Sequence, residues 1–255
     1  MNYYEFCLIR KKNKLVYITL NRTERRNAIC EELARQLGEA WIKFRDDDEA
    51  WVAILRAAGN ENFCVGMDMT ESIPFPSDVK PYSTLILPSV HEVWKPIIAA
   101  ISGYCVGVGL WLAIDCDLRI SSEDAKFGAL DVKWNLTDGF AHVLGRYLPP
   151  GIALEFLFTA ELLRAQRLHD WGLVNKVVPR SEVVNEAVAL ANRICENGPG
   201  AIRQTKELFY RGMELSKDQG TSLFWHLYEK VTAQEDTREG FQAFKEKRKP
   251  EFKGR

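Results

Sequence analysis

Two glycine-containing bends in this sequence could each direct a backbone N–H group at a bound ligand. The bend at Gly66 follows the strand-like run 52–55, and the bend at Gly107 follows the apolar run Ile97–Ile101 and precedes a helix-like run at 110–114. A strand that turns tightly into a helix points free N–H groups and the positive end of the helix dipole at one place. Two such bends could together bind one carbonyl oxygen. Taken alone, each bend is also typical of an ordinary tight connection in an α/β core.

Asp138, which lies between Trp134 and Phe140 in the sequence, has a carboxyl group that could transfer protons or attack a substrate. Apolar surroundings raise the pKa of a carboxyl group, so Asp138 could act as acid, base or nucleophile near neutral pH. An equally supported alternative is that Asp138 caps a helix that begins at Gly139. His142 is a weaker candidate for the acid, because a single histidine is more often a structural residue.

The elements that must hold these residues alternate between strands and helices. The first part of the pattern predicts a hairpin from 6–9 and Leu15–Leu20, a helix over 27–44, a strand at 52–55 and a loop over 71–80. A helix over 82–94, the strand Ile97–Ile101, a buried helix over 109–116 and a strand at 117–120 follow. This order predicts a largely parallel sheet in layered α/β packing.

From about Pro149 onward the pattern predicts helices without strands, over 153–157, 165–171, 183–196, 199–217 and 221–233. A boundary is therefore expected between a core of residues 1–148 and a helical region of residues 149–255. The helical region carries more aromatic side chains than a small appendage would bury by itself: Phe209, Tyr210, Phe224, Trp225 and Tyr228. Contacts between subunits and packing on the first domain are equal explanations.

Composition limits the class of protein. The 255 residues carry a formal net charge of -1, so the bulk charge indicates no nucleic acid as partner. The N-terminus is charged where a signal peptide would be apolar, and no apolar run is long enough to span a membrane. Six cysteines without a CxxC pair indicate free thiols and a cytoplasmic location. The four histidines are scattered, so no metal site is expected.

Six segments of the chain resemble, in order, the motifs of the crotonase family, also called the enoyl-CoA hydratase/isomerase superfamily. The segment FCVGMDM resembles the family's F-x-A-G-x-D-[LI], and GYCVGVGLWLA resembles G-x-x-x-G-G-G-x-E-L-A. Four more segments extend the resemblance over nearly the whole chain: LNRTERRNAI, DCDLRISSEDAKFG, AQRLHDWGLVNKVVP and EDTREGFQAFKEKRKPEF. The resemblance implies a crotonase-like ββα superhelix with a C-terminal helical region that forms homotrimers or hexamers. It also implies an acyl-CoA thioester as substrate and no cofactor beyond the coenzyme A that the substrate carries.

The resemblance assigns the two glycine bends to an oxyanion hole, in which the N–H groups of Met67 and Val108 bind the thioester oxygen. The family usually has glycine where this chain has Val108, so this β-branched residue is expected to keep a negative φ. Contacts with coenzyme A are implied for the Val65 carbonyl at the adenine and for four further side chains, the last two either from this subunit or from a neighbour: Arg25, Arg26, Phe244 and Lys247.

The chain departs from the family at its acid–base groups. Hydratases of this family use two glutamates, and the corresponding positions here hold Trp111 and Asp131. An indole has no titratable proton near neutral pH, which puts hydration by the usual pair of glutamates in question. Some isomerases and dehalogenases of the family place an aspartate close to position 138. Asp131 and Asp138 are therefore both expected to contribute to catalysis.

The expected function is hydration, dehydration or double-bond migration of an enoyl-CoA whose enolate is held by the two bends. Trp111, Trp134 and Phe140 are expected to line the acyl pocket and to favour a bulky or ring-bearing acyl group. Two alternatives stay open. One is hydrolysis, decarboxylation or dehalogenation of an acyl-CoA through Asp138, and the other is a catalytically silent acyl-CoA-binding protein.

Overall fold

Two β-sheets with surrounding helices make up the structure, a computed structural model that describes residues 5–59, 61–70 and 82–255. The strands in these ranges are β1 Cys7–Lys12, β2 Leu15–Leu20, β3 Val52–Ala57, β4 Asn62–Cys64, β5 Ile97–Ile101, β6 Tyr104–Val106, β7 Leu118–Ser122, β8 Lys126–Gly128, β9 Leu163–Arg164 and β10 Lys176–Val178. The α-helices are α1 Glu31–Asp46, α2 Val108–Asp115, α3 Ala141–Leu144, α4 Pro150–Thr159, α5 Ala165–Asp170, α6 Val183–Ile194, α7 Pro199–Gly212, α8 Lys217–Thr232 and α9 Glu235–Glu246. Short 3-10 helices lie at Thr23–Arg25, Tyr82–Ile86, Pro88–His91, Asp131–Trp134 and Arg180–Glu182.

The two sheets are built from a repeating pair of strands. The larger sheet has the order β1-β2-β3-β5-β7-β10, and only the hairpin β1–β2 is antiparallel. The smaller sheet has the order β4-β6-β8-β9, in which β4, β6 and β8 are parallel. The pairs β3–β4, β5–β6 and β7–β8 each give one strand to either sheet. Because β4, β6 and β8 are parallel, their carboxyl ends meet at one edge, where α/β proteins bind ligands.

Apolar side chains of the larger sheet alternate between two clusters on its opposite faces, as the two-residue period of a strand requires. In β3, Ala53 and Leu55 belong to the main core, which α1 and α2 cover. Val52 and Ile54 belong to a smaller cluster that α6 covers. The smaller sheet packs on the main core and therefore holds its strand ends in a rigid setting.

The first half of the chain largely matches the expected elements, but the short strands β4, β6 and β8 were not expected, and two helices differ. The helix expected over 27–44 begins only at Glu31, because Asn27 has a φ of 57° and the Cys30 side chain caps the helix by accepting the N–H of Leu33. The single helix expected over 82–94 is wrong. The segment forms two 3-10 helices separated at Leu87, since Pro88 has no N–H to continue a helix. The loop expected over 71–80 lies outside the described residues.

The second half is mostly helical, but the expected absence of strands is wrong. Strand β9 pairs with β8 in the smaller sheet, and β10 pairs with β7 in the larger one. These strands attach the region after Pro149 to both sheets, and the division at 148/149 stays a prediction. Aromatic side chains of α7 and α8 remain open to solvent in the single chain, with Phe209 62% and Trp225 56% exposed.

Candidate active site

The two glycine bends lie against each other at the edge where β4 and β6 end. Gly66 has a φ of 98° and Gly107 has a φ of 53°, values that favour glycine. A Cβ on Gly107 would lie 3.7 Å from the Cα of Gly66. The expected meeting of the two bends is therefore present.

The N–H groups of Met67 and Val108 are free to bind a ligand. On either side of Met67, the Gly66 carbonyl accepts the N–H of Ile29 at 2.8 Å and the Asp68 N–H donates to the Ile29 carbonyl at 2.9 Å. The alternation of an extended chain therefore turns the Met67 N–H away from Ile29. Val108 is the first residue of α2, where an N–H has no partner within the helix. Among the described residues neither N–H donates a hydrogen bond, and Val108 has no positive φ.

A buried ion pair fixes the first bend. Arg22 donates from Nη1 to Oδ2 of Asp68 at 2.6 Å, and both side chains are almost fully buried. Oδ1 of Asp68 also accepts the N–H of Thr70 at 3.0 Å, a contact typical of a turn. The hydrogen bonds from Thr70 and then Arg22 lower the pKa of Asp68 to about 2. Arg22 was not predicted to be functional, because its only signal in the sequence is its place in the segment LNRTERRNAI.

Asp131 and Asp138 form a pair of carboxyl groups beside the second bend. Asp131 begins the 3-10 helix after β8, and its Oδ1 lies 3.1 Å from where a Cβ on Gly107 would be. Asp138 is 3% exposed, and neither of its carboxyl oxygens hydrogen bonds with normal geometry to any described residue. Burial, and after it the charge of Asp131, raises the pKa of Asp138 to about 7. Burial also raises the pKa of Asp131.

Asp138 therefore keeps its proton at pH values below about 7, because two close carboxyl groups do not both ionise freely. The alternative role of Asp138 as a helix cap is wrong. Helix α3 begins at Ala141 with Phe140 at its N-cap position and without a side-chain cap. His142, the weaker candidate for the acid, is exposed, and its Nδ1 lies 2.9 Å from the carbonyl oxygen of Gly139.

Trp111 lies one turn along α2 from Val108 and packs against the loop that carries Asp138. A Cβ on Gly139 would overlap with the indole ring, so the tryptophan and the glycine fit only as a pair. The ring supplies shape and apolar surface at the position where the resemblance implies a glutamate.

A cavity of about 450 Å³ opens beside Trp111, between α2, α3, α7 and the segment around Val93. Four aromatic side chains contribute to its wall: Trp94, Trp111, Tyr147 and Tyr210. The two other residues expected in an acyl pocket are not in this wall. Trp134 is 67% exposed at the surface, and Phe140 is buried in the main core.

Comparison with known proteins identifies the family. A family model described as enoyl-CoA hydratase/isomerase matches residues 10–255. The chain belongs to this family. It is 38% identical to an (E)-benzylidenesuccinyl-CoA hydratase of Thauera aromatica, with 95% of this chain and 96% of that protein covered.

Other relatives agree with this assignment. The chain is 32% identical to a short-chain-enoyl-CoA hydratase of Clostridium acetobutylicum, with 97% of this chain and 98% of that protein covered. The crystal structure of an enoyl-CoA hydratase from Bacillus anthracis matches with a TM-score of 0.90 at 30% identity, over 98% of this chain and all of that one. The crotonase fold and an acyl-CoA enzyme of the enoyl-CoA hydratase/isomerase type are therefore confirmed.

The residues expected to bind coenzyme A in this family fall into two groups. Arg25 and Arg26 are exposed beside the first bend. The next residue, Asn27, connects their segment to this bend, because its side chain donates a hydrogen bond to the carbonyl oxygen of Asn62 at 2.9 Å. Phe244 is 83% exposed and Lys247 ends α9. The tail after α9 packs near Trp51 on the far face of the larger sheet, and no contact brings Phe244 or Lys247 to the bends.

The surroundings of the site bear on the sequence-based expectations on metal ions, membrane-spanning helices and cysteines. In the described parts of the chain, no three His, Cys, Asp or Glu side chains are grouped so as to hold a metal ion. The same parts contain no helix that is long and apolar enough to cross a membrane. All six cysteines are free, as expected, and five of them are buried.

Proposed function

We propose that the protein hydrates an enoyl-CoA, or dehydrates the corresponding 3-hydroxyacyl-CoA, with Asp131 and Asp138 as the proton-transfer pair. The observation that carries this proposal is the buried pair itself. One carboxyl group lies at the oxyanion bend, and burial together with the charge of that group raises the pKa of its buried neighbour to about 7. Perturbed carboxyl groups of this kind mark functional sites.

The proposed reaction uses the two carboxyl groups in opposite protonation states. The N–H groups of Met67 and Val108 bind the thioester oxygen and stabilise the enolate, a contribution of about 3–4 kcal/mol per donor in comparable sites. Ionised Asp131 removes a proton from the water that adds to the β-carbon. Protonated Asp138, the weaker acid of the two, gives its proton to the α-carbon. The pair loses one proton and gains one, and a proton transfer between the two carboxyl groups resets it.

The same geometry disfavours the alternatives. A nucleophilic mechanism of hydrolysis or dehalogenation needs an ionised carboxylate, whereas burial holds Asp138 largely protonated up to about pH 7. A silent binding protein has no use for two carboxyl groups whose burial costs free energy. Double-bond migration needs only one group that moves a proton. Relatives of this chain include hydratases and dehydratases, which favours hydration for this chain too.

Turnover of crotonyl-CoA and larger enoyl-CoA thioesters, followed by the mass gain of one water, tests the proposal. Asp131→Asn and Asp138→Asn should each lower kcat by about 100-fold or more, the scale of general acid–base catalysis. Binding of acyl-CoA should change little, because the donors to the thioester oxygen are backbone groups. Asp48→Asn, at an exposed aspartate far from the bends, is the matched control. Wild-type turnover in the Asp131→Asn, Asp138→Asn double variant would overturn the assignment.

We also propose that the chain assembles into trimers or pairs of trimers through its C-terminal helices. Phe209, Phe241 and Phe244 are each more than 60% exposed on α7 and α9. Such apolar surface is costly in water and is typical of an interface. In such an assembly Arg25, Arg26, Phe244 and Lys247 would bind coenzyme A together, the last two from a neighbouring subunit. Sedimentation of a clean 29.2 kDa monomer at micromolar concentration would contradict the assembly.

A further inference from the structure

The cavity lined by Trp111 lies along α2 from the oxyanion donor Val108. Val108, Trp111 and Ile114 follow one another at three-residue intervals along α2, and the last two belong to the cavity wall. At 1.5 Å per residue, Trp111 lies about 4.5 Å and Ile114 about 9 Å along the helix axis from the oxyanion donor. An acyl chain whose thioester oxygen meets Val108 can therefore extend along this helix into the cavity.

The wall of the cavity is suited to a planar ring. Trp94, Trp111, Tyr147 and Tyr210 contribute aromatic surface, and Val90 and Val143 contribute aliphatic surface. Aromatic rings prefer offset or edge contacts with one another and gain free energy from them beyond simple burial. The volume of about 450 Å³ is within the range of small-molecule sites.

The charged groups of the wall argue against a second carboxylate on the substrate at this place. Each Lys and Arg side chain of the wall already binds a carboxylate at 2.8–3.3 Å: Arg146 binds Glu214, Arg211 binds Glu92 and Lys206 binds Asp117. The guanidinium of Arg211 also lies over the ring of Trp94, 5.1 Å from its centroid. An anion in the cavity would have to displace these pairs, whereas an uncharged ring would leave them intact.

We infer that the enzyme selects acyl-CoA substrates that carry an uncharged aromatic ring on the β-carbon side, and that Trp111 with the cavity behind it sets this specificity. The inference rests on the proposed hydration at the Asp131–Asp138 pair. Trp111 is thus a specificity-determining residue, because its indole lines the cavity that receives the ring. Any further carboxylate of the substrate lies outside this cavity.

The dehydration of four 3-hydroxyacyl-CoA thioesters tests the inference: 3-hydroxybutanoyl-CoA, 3-hydroxyhexanoyl-CoA, 3-hydroxyglutaryl-CoA and 3-hydroxy-3-phenylpropanoyl-CoA. We expect kcat/KM for the phenyl compound to exceed that for the hexanoyl compound by about 10-fold or more, the scale on which an apolar pocket discriminates. The carboxylate compound should be the poorest. Equal or lower kcat/KM for the phenyl compound would overturn the inference.

Two cavity-filling variants locate the preference. Val143→Trp, and independently Met213→Trp at the partly exposed rim, should lower kcat/KM for the phenyl compound by about 10-fold and that for hydroxybutanoyl-CoA by less than about 3-fold. Val188→Trp on α6, at the far face of the larger sheet, is the control and should change neither. A phenyl preference that survives both cavity variants would place the ring elsewhere and overturn the inference. Loss of turnover with all four compounds in the wild type would instead refute the proposed hydration.

Discussion

Replacing Asp138 by asparagine should abolish most of the activity. It should also raise the free energy of unfolding, relative to that of the wild type, when the pH changes from acid to alkaline. Asp138 is 3% exposed, and burial together with the charge of Asp131 raises its pKa from 3.8 to about 7. A carboxyl group with a raised pKa in the folded state binds its proton more tightly there than in the unfolded chain. Its contribution to stability is therefore complete below about pH 4 and is lost as the pH rises to about 7.

The size of the effect follows from the shift. About 3 pKa units at about 1.4 kcal/mol per unit give an upper limit of about 4 kcal/mol lost at pH 8, of which about 1 kcal/mol is already lost at pH 4.5. The difference between these two pH values is thus about 3 kcal/mol. Asparagine leaves a buried amide without a partner, at a cost of about 1–3 kcal/mol, but this cost does not depend on pH. Comparing two pH values therefore isolates the ionisation of Asp138.

Urea unfolding of the wild type and of Asp138→Asn at pH 4.5 and pH 8, at equal protein concentration, measures this difference. The free energy of unfolding of the variant, relative to that of the wild type, should be about 3 kcal/mol higher at pH 8 than at pH 4.5. Asp48→Asn, which changes an exposed aspartate, should keep a constant offset from the wild type. An offset for Asp138→Asn that is the same at both pH values would refute the claim that the fold holds this carboxyl group protonated.

The pH dependence of turnover and two packing contacts give further expectations. The specificity constant kcat/KM for hydration should fall as the pH rises through about 7, because Asp138 must be protonated to act as the acid. A profile of kcat/KM that is flat to pH 9 would contradict this. Gly139→Ala should lower the free energy of unfolding in urea by about 1–3 kcal/mol, since its Cβ would overlap the Trp111 ring. Trp111→Ala should cancel that loss in the double variant. Independent effects of the two substitutions would count against the contact. Arg22→Met should cost about 3–5 kcal/mol, because it leaves Asp68 buried without its cation, and a cost below about 1 kcal/mol would show the pair to be dispensable.

Sequence patterns predicted the strands and helices that are long enough to show a periodic arrangement of apolar residues. The strands β1, β2, β3, β5 and β7 are visible in the sequence because each is five or six residues long, whereas β4 and β6, with three residues each, were not predicted. Strands β9 and β10 have only two and three residues, too few for a period, and they exist because β8 and β7 offer them partners. The apolar spacing over 82–94 resembles a helix, but Pro88 and the positive φ of Glu92 divide the segment.

The backbone part of the site was predictable, whereas the surroundings of its side chains were not. Gly66 and Gly107 are recognisable because their positive φ values leave glycine as the favoured residue. The pairing of Asp68 with Arg22 joins positions 46 residues apart, which no local pattern shows. Burial of Phe140 in the main core was also missed, since its neighbour Asp138 suggested a pocket wall.

The exchange at position 111 explains why the proposed chemistry depends on the loop after β8. Where the resemblance implies a glutamate, the indole of Trp111 packs against Gly139 instead. Asp138 precedes Gly139 in that loop, and its carboxyl group lies beside that of Asp131. In the proposed mechanism, acid and base therefore act on one face of the double bond. Trp111 is left free to form the wall of the cavity, where its ring can determine which acyl groups enter.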